Sequence, residues 1–483
     1  MQRKELLILL LWAGVAGFVP AYPCTGQESW TTYDAVSTSF FDHDSTFYSV
    51  AIDRNGKIWV GNRPSASAGT GTIYRFDGTT WTKSLEIEGG DKMWTIFVDS
   101  RNNVWVGTAG KGVYKYDGTK WIHMAADVDT TDGVDSLGGN WVKHIAEDLS
   151  GNIWFACGPP TSPLPVDDVS TPRVGGLTKY DPSKTKFTKY LSNYNSGNFV
   201  GYGNCNLANN WVTAVACDAS GNVWAGTKGS GVSKFNPATN TWTTYTIANG
   251  LSNNTVGAGA MHFAPATKRI WIGTLNGVSW TINGSSWGQI TELAPYRVWS
   301  IESDWTGKLW ISHPEPTTSA TGLYRYDSLG TLQLNHWDNT AGLPDNLVRR
   351  ICIDNNTGRV WCATGSAMSA LSGVLPPNPA TAVEADPAMA ISSRISQNYP
   401  NPFNPETTIE YVLDRPQHIR LIIFNTNGQM VRILEDGSRA EGSHTVRWDG
   451  RDERGRQVSS GMYIYQLRSE LGRGAVKKAL LLR

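Results

Sequence analysis

Seven positions of this 483-residue chain sit at the same place in a recurring pattern: Tyr48, Trp94, Lys143, Thr213, Gly259, Trp299 and Arg349. Each stands five residues before a turn that opens at Asp53, Asp99, Asp148, Asp218, Ala264, Asp304 or Asp354. Two residues further on, the column is uniformly apolar, as Val50, Ile96, Ile145, Val215, Met261, Ile301 and Ile351. Packing alone favours similar residue types in both columns. The mixture of aromatic and basic groups reads as the lining of a central funnel, with Tyr48, Trp94, Lys143, Trp299 and Arg349 as ligand-binding candidates; ordinary rim residues are the other reading. Aromatic faces beside polar groups suit sugars or peptides. The column holds no acid, so it lacks the carboxylate pair of glycoside hydrolysis. The eight histidines are scattered, and no catalytic residue is assigned.

Two other sets of residues invite a chemical reading. The repeated Asp residues could be ligands or acids, but most lead into turns such as Asp53-Arg54-Asn55-Gly56 and Asp218-Ala219-Ser220-Gly221. There a carboxylate accepts backbone N–H groups and Gly takes positive φ, so the turn role is preferred. The run Asp127-Val128-Asp129-Thr130-Thr131-Asp132-Gly133-Val134-Asp135 is rich in oxygen ligands. Its spacing has one residue too many for an EF-hand loop and no closing Glu. Calcium is the one cofactor considered; none is expected.

The elements that must position the column repeat with it. An apolar–Trp–small or apolar pattern recurs at Trp59, Trp105, Trp154, Trp224, Trp271, Trp310 and Trp361. A second aromatic column follows the next turn, at Trp81, Trp121, Phe187, Trp242, Trp287 and Trp337, with its seventh copy at the other end of the chain as Trp30. Spacings mostly of 40 to 50 residues with short β-runs indicate propeller blades. The fold class is therefore all-β, a seven-bladed β-propeller closed by the N-terminal strand. One large side chain per blade on an apolar strand is the wedge between neighbouring blades.

Loops after the first and third strands of each blade are tight. The long insertions all follow second or fourth strands: Arg63 to Gly71, Ala125 to Gly139, Gly158 to Gly175, Ser192 to Asn209 and His313 to Thr321. Long loops gathered on one face of a rigid scaffold are where recognition concentrates, and Tyr194, Phe199 and Tyr202 in the fourth add aromatics to that face.

Lys plus Arg equals Asp plus Glu at 42 each, so no chain-wide basic field exists to hold nucleic acid. Arg3 and Lys4, the apolar run Leu6 to Phe18 and Val19-Pro20-Ala21 read as a signal peptide over 1–21. The run is too short to span a membrane comfortably, and no other segment would cross one. Six cysteines (24, 157, 205, 217, 352, 362) read as buried thiols ahead of bridges. The ring occupies 28–371, and a Pro/Ala-rich linker follows at 372–393. Residues 394–483 read as a small immunoglobulin-like β-sandwich with strands near 407–413, 419–424, 429–434, 444–449, 462–467 and 476–482.

Two resemblances follow from these residues. Gly221-Asn222-Val223-Trp224-Ala225-Gly226-Thr227, then Gly231-Val232, resembles the two-component regulator propeller repeat, in about seven copies. Asn398-Tyr399-Pro400-Asn401-Pro402-Phe403-Asn404-Pro405, then Ser460-Gly461-Met462-Tyr463-Ile464-Tyr465 and a basic tail through Lys477-Lys478, resembles the type A C-terminal sorting domain of the type IX secretion system. That domain is similar in turn to the immunoglobulin-like domain of flagellar hook-capping proteins. The second resemblance implies passage across the outer membrane of a Gram-negative bacterium, with the secretion machinery as a partner and the cell surface or medium as destination. The function expected is non-catalytic recognition of an extracellular glycan or protein through the long-loop face. An extracellular carbohydrate-active hydrolase or lyase, and a structural surface-layer or adhesion protein, are the alternatives.

Overall fold

The computed structural model describes residues 28–482 except 35–40, 42–45, 64–69, 89–91, 127–135, 159–174, 193–204, 295, 314–320, 379–392, 414–416, 426–429 and 470–471. The expected signal peptide, the Asp127–Asp135 run, Tyr194, Phe199, Tyr202 and most of the insertions and the linker lie outside the described residues.

Among the described residues between Ser29 and Ser372 the strands form seven four-stranded antiparallel sheets. The innermost strands are Thr46–Ile52, Met93–Val98, Trp141–Glu147, Val212–Cys217, Val256–Ala264, Ser300–Ser303 and Arg350–Asp354. Each touches the next in sequence, and the seventh touches the first, so the sheets close a ring. The outer strand of the last sheet is the N-terminal Ser29–Tyr33, paired antiparallel with Met368–Ser372 so that Trp30 faces Leu371. This pairing covers the edge that an open ring would expose.

The seven repeated tryptophans are the wedges. All are 2 % exposed or less. Trp59 packs among Ile96, Val104 and Val106 of the second blade, Trp105 among Val142 and Ile153 of the third, and Trp361 returns to Phe47, Val50 and Val60 of the first. The small residue two positions after each Trp has a steric cause. A Cβ at Gly107 would come within 2.7 Å of the Val142 carbonyl, and one at Gly226 within 2.6 Å of Val256 Cγ1. The next blade's first strand passes directly over the wedge strand, so Gly is needed at these two positions, while three other blades fit Ala156, Ser312 or Ala363 there.

Five wedges are tied to the turn that precedes them. The indole Nε1–H groups of Trp59, Trp105, Trp154, Trp224 and Trp310 donate to Asp53, Asp99, Asp148, Asp218 and Asp304 at 2.8–3.0 Å. The other carboxylate oxygen of each Asp accepts backbone N–H groups of its own turn. The repeated Asp is thus a turn residue, as its spacing suggests, and also the acceptor for a buried indole.

The second aromatic column needs one correction. Trp81, Trp121 and Trp242 face Phe76, Tyr116 and Phe235 near the end of the third strand, whereas Trp337 faces Leu323 near its start. Trp337 stacks on Trp310 with centroids 5.4 Å apart, the place that Tyr190 takes on Trp154 and Tyr245 on Trp224. The longer turn after Tyr326 displaces the outer strand, Gln333–Trp337, so that its aromatic arrives late.

All five cysteines among the described residues are free thiols. Cys352 faces Trp361 and Cys362 faces Ile351, so the two side chains leave opposite faces of their hairpin. Burial pushes both thiols up.

From Ser393 the chain forms a three-stranded and a four-stranded sheet around Phe403, Tyr411, Trp448 and Tyr465. The two sequence motifs of this part meet: the Asn398 backbone N–H donates to the Tyr465 hydroxyl at 2.8 Å, and that hydroxyl donates to Ser396 O at 2.9 Å. The buried Asn398 amide also donates to Thr407 Oγ1 and Pro400 O, which fixes the Pro-rich entry onto the first long strand.

Candidate functional site

The column of Tyr48, Trp94, Lys143 and Thr213 owes its aim to a repeated backbone irregularity. Pairing on the innermost strands jumps from Phe47 to Ser49, Met93 to Thr95, Val142 to His144 and Val212 to Ala214. The skipped residue is the extra one of a β-bulge, and a bulge turns its side chain out of the strand's alternation. In a regular strand Tyr48 and Val50 would share a face; here Val50, Ile96, Ile145 and Val215 lie in the inter-blade cores while the bulged residues line the mouth of the ring. In the fifth blade the interruption runs from Val256 to Met261, with Gly259 at φ 71°. Trp299 and Arg349 stand just before the sixth and seventh innermost strands, their N–H groups bonded to Ser312 O and Ala363 O.

The structure brings all five candidates, and Thr213, to one cavity of about 470 Å³, within the range of small-ligand sites. It lies on the side where loops follow second and fourth strands: Lys92, Trp211 and Arg297 precede innermost strands, and Lys228 and Leu275 follow second strands. Gly259 contributes space instead of a side chain. A Cβ there would collide with the Arg350 guanidinium, which crosses from the seventh blade to donate to Gly259 O at 2.8 Å and to Trp299 O and Ala258 O at 3.4 Å.

Around the cavity cations and aromatic rings alternate without a break. Lys228 lies 3.6 Å from the centre of Trp211, Lys143 5.0 Å from Trp211 and 6.0 Å from Trp94, and Lys92 5.3 Å from Trp94 and 5.8 Å from Tyr48. Arg349 lies 4.3 Å from Tyr48 and 4.9 Å from Trp299, and Arg297 5.1 Å from Trp299. These are cation–π distances, worth roughly 0.5–2 kcal/mol each depending on desolvation. The belt thus orients its cations largely on aromatic faces. Among the described residues no carboxylate lines the cavity.

The electrostatics follow from crowding like charges in a recess. Burial first, then Lys228, Arg297 and Lys92, bring the Lys143 ammonium down to about 8. Lys92 and Arg349 are lowered as well, chiefly by burial. Two acids stand just outside the lining: Asp345 acts on Arg349, and Glu302 acts on Arg350, whose guanidinium burial brings down to about 10. Glu302 keeps 37 % of its side-chain surface accessible, yet the protein around it raises its carboxyl to about 7, against the pull of Arg350. His262 Nδ1 lies 3.4 Å from that carboxylate and its Nε2 2.7 Å from Ser303 Oγ; burial lowers the imidazole to about 4.

Sequence reasoning missed Lys92, Trp211, Lys228, Arg297 and Arg350. A signal existed for three of them, since Lys92, Trp211 and Arg297 each stand seven residues before a turn Asp, two ahead of the column already chosen. Lys228 required knowing that the residue after the second strand turns inward, and Arg350 that a glycine two blades away leaves it room. Among the described residues no group of three or more His, Cys, Asp or Glu is placed to hold a metal, and no helix is long and apolar enough to cross a membrane.

Comparisons with known proteins agree with this architecture. Residues 206–229 match the two component regulator propeller model, and residues 404–472 match the FlgD Ig-like domain model. No curated protein matches the chain. Among solved structures it is similar to PorZ, a bacterial surface component of the type-IX secretion system of Porphyromonas gingivalis, at 18 % identity and TM-score 0.51, covering 92 % of this chain and 60 % of that one. It is also similar to the extracellular domain of the hybrid two component system BT3049 from B. thetaiotaomicron, at 15 % identity and TM-score 0.53, covering 94 % and 57 %. The chain therefore spans about three-fifths of the length of these two structures, and at such identities the likeness is one of fold.

Proposed function

We propose that this chain is an exported, non-catalytic recognition protein whose ring binds an extracellular ligand in the belt-lined cavity. The carrying observation is the unbroken alternation of five cations and four aromatic rings at one mouth of the ring. Folding does not require such a belt. Mutual repulsion destabilises it, and a bound partner relieves that repulsion. The position of the cavity on the face that carries the long insertions supports the same reading. Its described lining holds no carboxylate, His, Ser or Cys, which favours binding over hydrolysis.

The leader at 1–21 and the C-terminal sandwich supply the route. The sandwich's resemblance to a type IX sorting domain makes the type IX secretion machinery its partner and the surface of a Gram-negative bacterium, or the medium, its destination. The fold likeness to a surface component of that system and to an extracellular sensor domain is in keeping with this.

The test has two arms. Purified protein is screened against glycan and peptide arrays, with reducing ends and unsaturated products assayed in parallel; binding that disappears in a Trp94→Ala/Trp299→Ala variant of unchanged melting temperature supports recognition, whereas product formation makes the protein an enzyme. In a host with type IX secretion, removal of 394–483 is expected to hold the ring inside the cell. Undiminished release would refute the sorting role.

A further inference from the structure

We infer that the cavity takes an acidic saccharide, one whose sugar rings carry carboxylate, sulfate or phosphate groups. The inference rests on the recognition reading above and names its ligand class.

Three observations carry it. The first is charge: Lys92, Lys143, Lys228, Arg297 and Arg349 line one cavity with no acid among its described lining residues, although the chain as a whole is neutral. The excess is local, and burial raises the cost of crowding like charges there. The second is that the lining donates far more than it accepts. The indole N–H groups of Trp94, Trp211 and Trp299 find no acceptor among the described residues, and the Thr213 hydroxyl is spent on Gly226 O and Val256 O. A ligand must bring acceptors.

The third observation separates a saccharide from an acidic peptide. Each belt cation lies 3.6–6.0 Å from the centre of an aromatic ring. A ligand using both must present an anion and an apolar face within the same few ångströms. An acidic sugar does so in each residue, because its anion is attached directly to a ring whose C–H groups form an apolar face. Asp and Glu side chains carry an anion with no such face, and a neutral sugar brings no counter-charge to the cations.

Calorimetry on the intact protein tests this with galacturonate hexamer, a heparin hexasaccharide and a mannose-6-phosphate oligomer as acidic probes. The fully methyl-esterified galacturonate hexamer, with the same rings and no charge, is the matched control, and hexaglutamate is the peptide control. The expected result is that at least one acidic saccharide binds, that methyl esterification or raising salt from 0.05 to 0.5 M weakens it on the order of tenfold or more, and that hexaglutamate binds at least tenfold more weakly. Arg349→Ala and Lys228→Ala each lose about tenfold or more, while Arg349→Lys, which keeps the charge, loses less. Equal binding of the ester, or binding of hexaglutamate alone, overturns the ligand class and leaves recognition standing. If no acidic saccharide binds but an uncharged array glycan does, the ligand class again falls alone. If no probe and no array ligand binds, both fall.

Discussion

The indole N–H of Trp105 donates to the Asp99 carboxylate at 2.9 Å, six residues before it in the chain. Wherever this spacing of six occurs between turn Asp and wedge Trp, the bond forms. In the fifth and seventh blades the turn is one residue longer, from Ala264 to Trp271 and from Asp354 to Trp361, and neither indole has an acceptor among the described residues. Asp354 uses its carboxylate on its own turn, through Asn356 N and Thr357 Oγ1. Asp99→Ala is therefore expected to cost about 2–3 kcal/mol, from lost turn bonds plus a buried donor left unpaired, and Asp354→Ala about 1–2 kcal/mol less. Chemical denaturation of the two variants measures the difference; equal losses would show that the indole bond contributes nothing.

Arg325 and Asp304 form an ion pair at 3.0 Å with both side chains buried. Breaking one half of such a pair strands a charge, so Arg325→Met is expected to lose about 3 kcal/mol. Removing both partners in Arg325→Met/Asp304→Ala should cost less than the sum of the single changes. Additive losses in a double-mutant cycle would indicate that solvent already screens the pair.

Closure by Ser29–Tyr33 makes a prediction about assembly. Deleting residues 28–34 uncovers the edge of Met368–Ser372 and removes Tyr33 from its stack on Trp361. An exposed edge of this kind pairs with other chains. The truncated protein is expected to melt several degrees lower and to self-associate in light scattering. A monomer of unchanged melting temperature would mean that the ring does not need this fastening.

Lys143 gives the site a pH dependence whose sign is fixed. Its free ammonium titrates at about 8, and a bound anion favours the charged form and raises that value. Affinity for an anionic ligand is then level below pH 8 and falls as pH rises through it, by about tenfold between pH 7 and pH 9. Binding at pH 8 takes up protons, detectable by calorimetry in buffers of different ionisation enthalpy. Lys143→Arg should remove the fall while keeping affinity at pH 7. Stability responds in the opposite direction: because the folded value lies below that of a free lysine, protonation of Lys143 favours unfolding, and stability rises with pH between about 8 and the free-lysine range.

The sequence by itself determined the architecture. A wedge Trp, a second aromatic after the next turn and a turn Asp repeated seven or nearly seven times leave few folds open, because each repeat buries its aromatic only against the next and the last needs the first. The same periodicity exposed five of the residues that meet at the ring's mouth, Tyr48, Trp94, Lys143, Trp299 and Arg349, because a column mixing rings and cations stands out beside one of pure Val, Ile and Met. The tertiary structure alone decided how they meet. A bulge, which period-two reasoning does not reveal, separates Tyr48 from the face of Val50. The partners Lys228 and Arg350 come from a loop after a second strand and from across a gap that Gly259 leaves. Charge followed the same division: a chain with 42 cations and 42 anions looks neutral in one dimension, and only closure of the ring gathers six of those cations around one cavity, where distance in space and not in sequence sets their interaction.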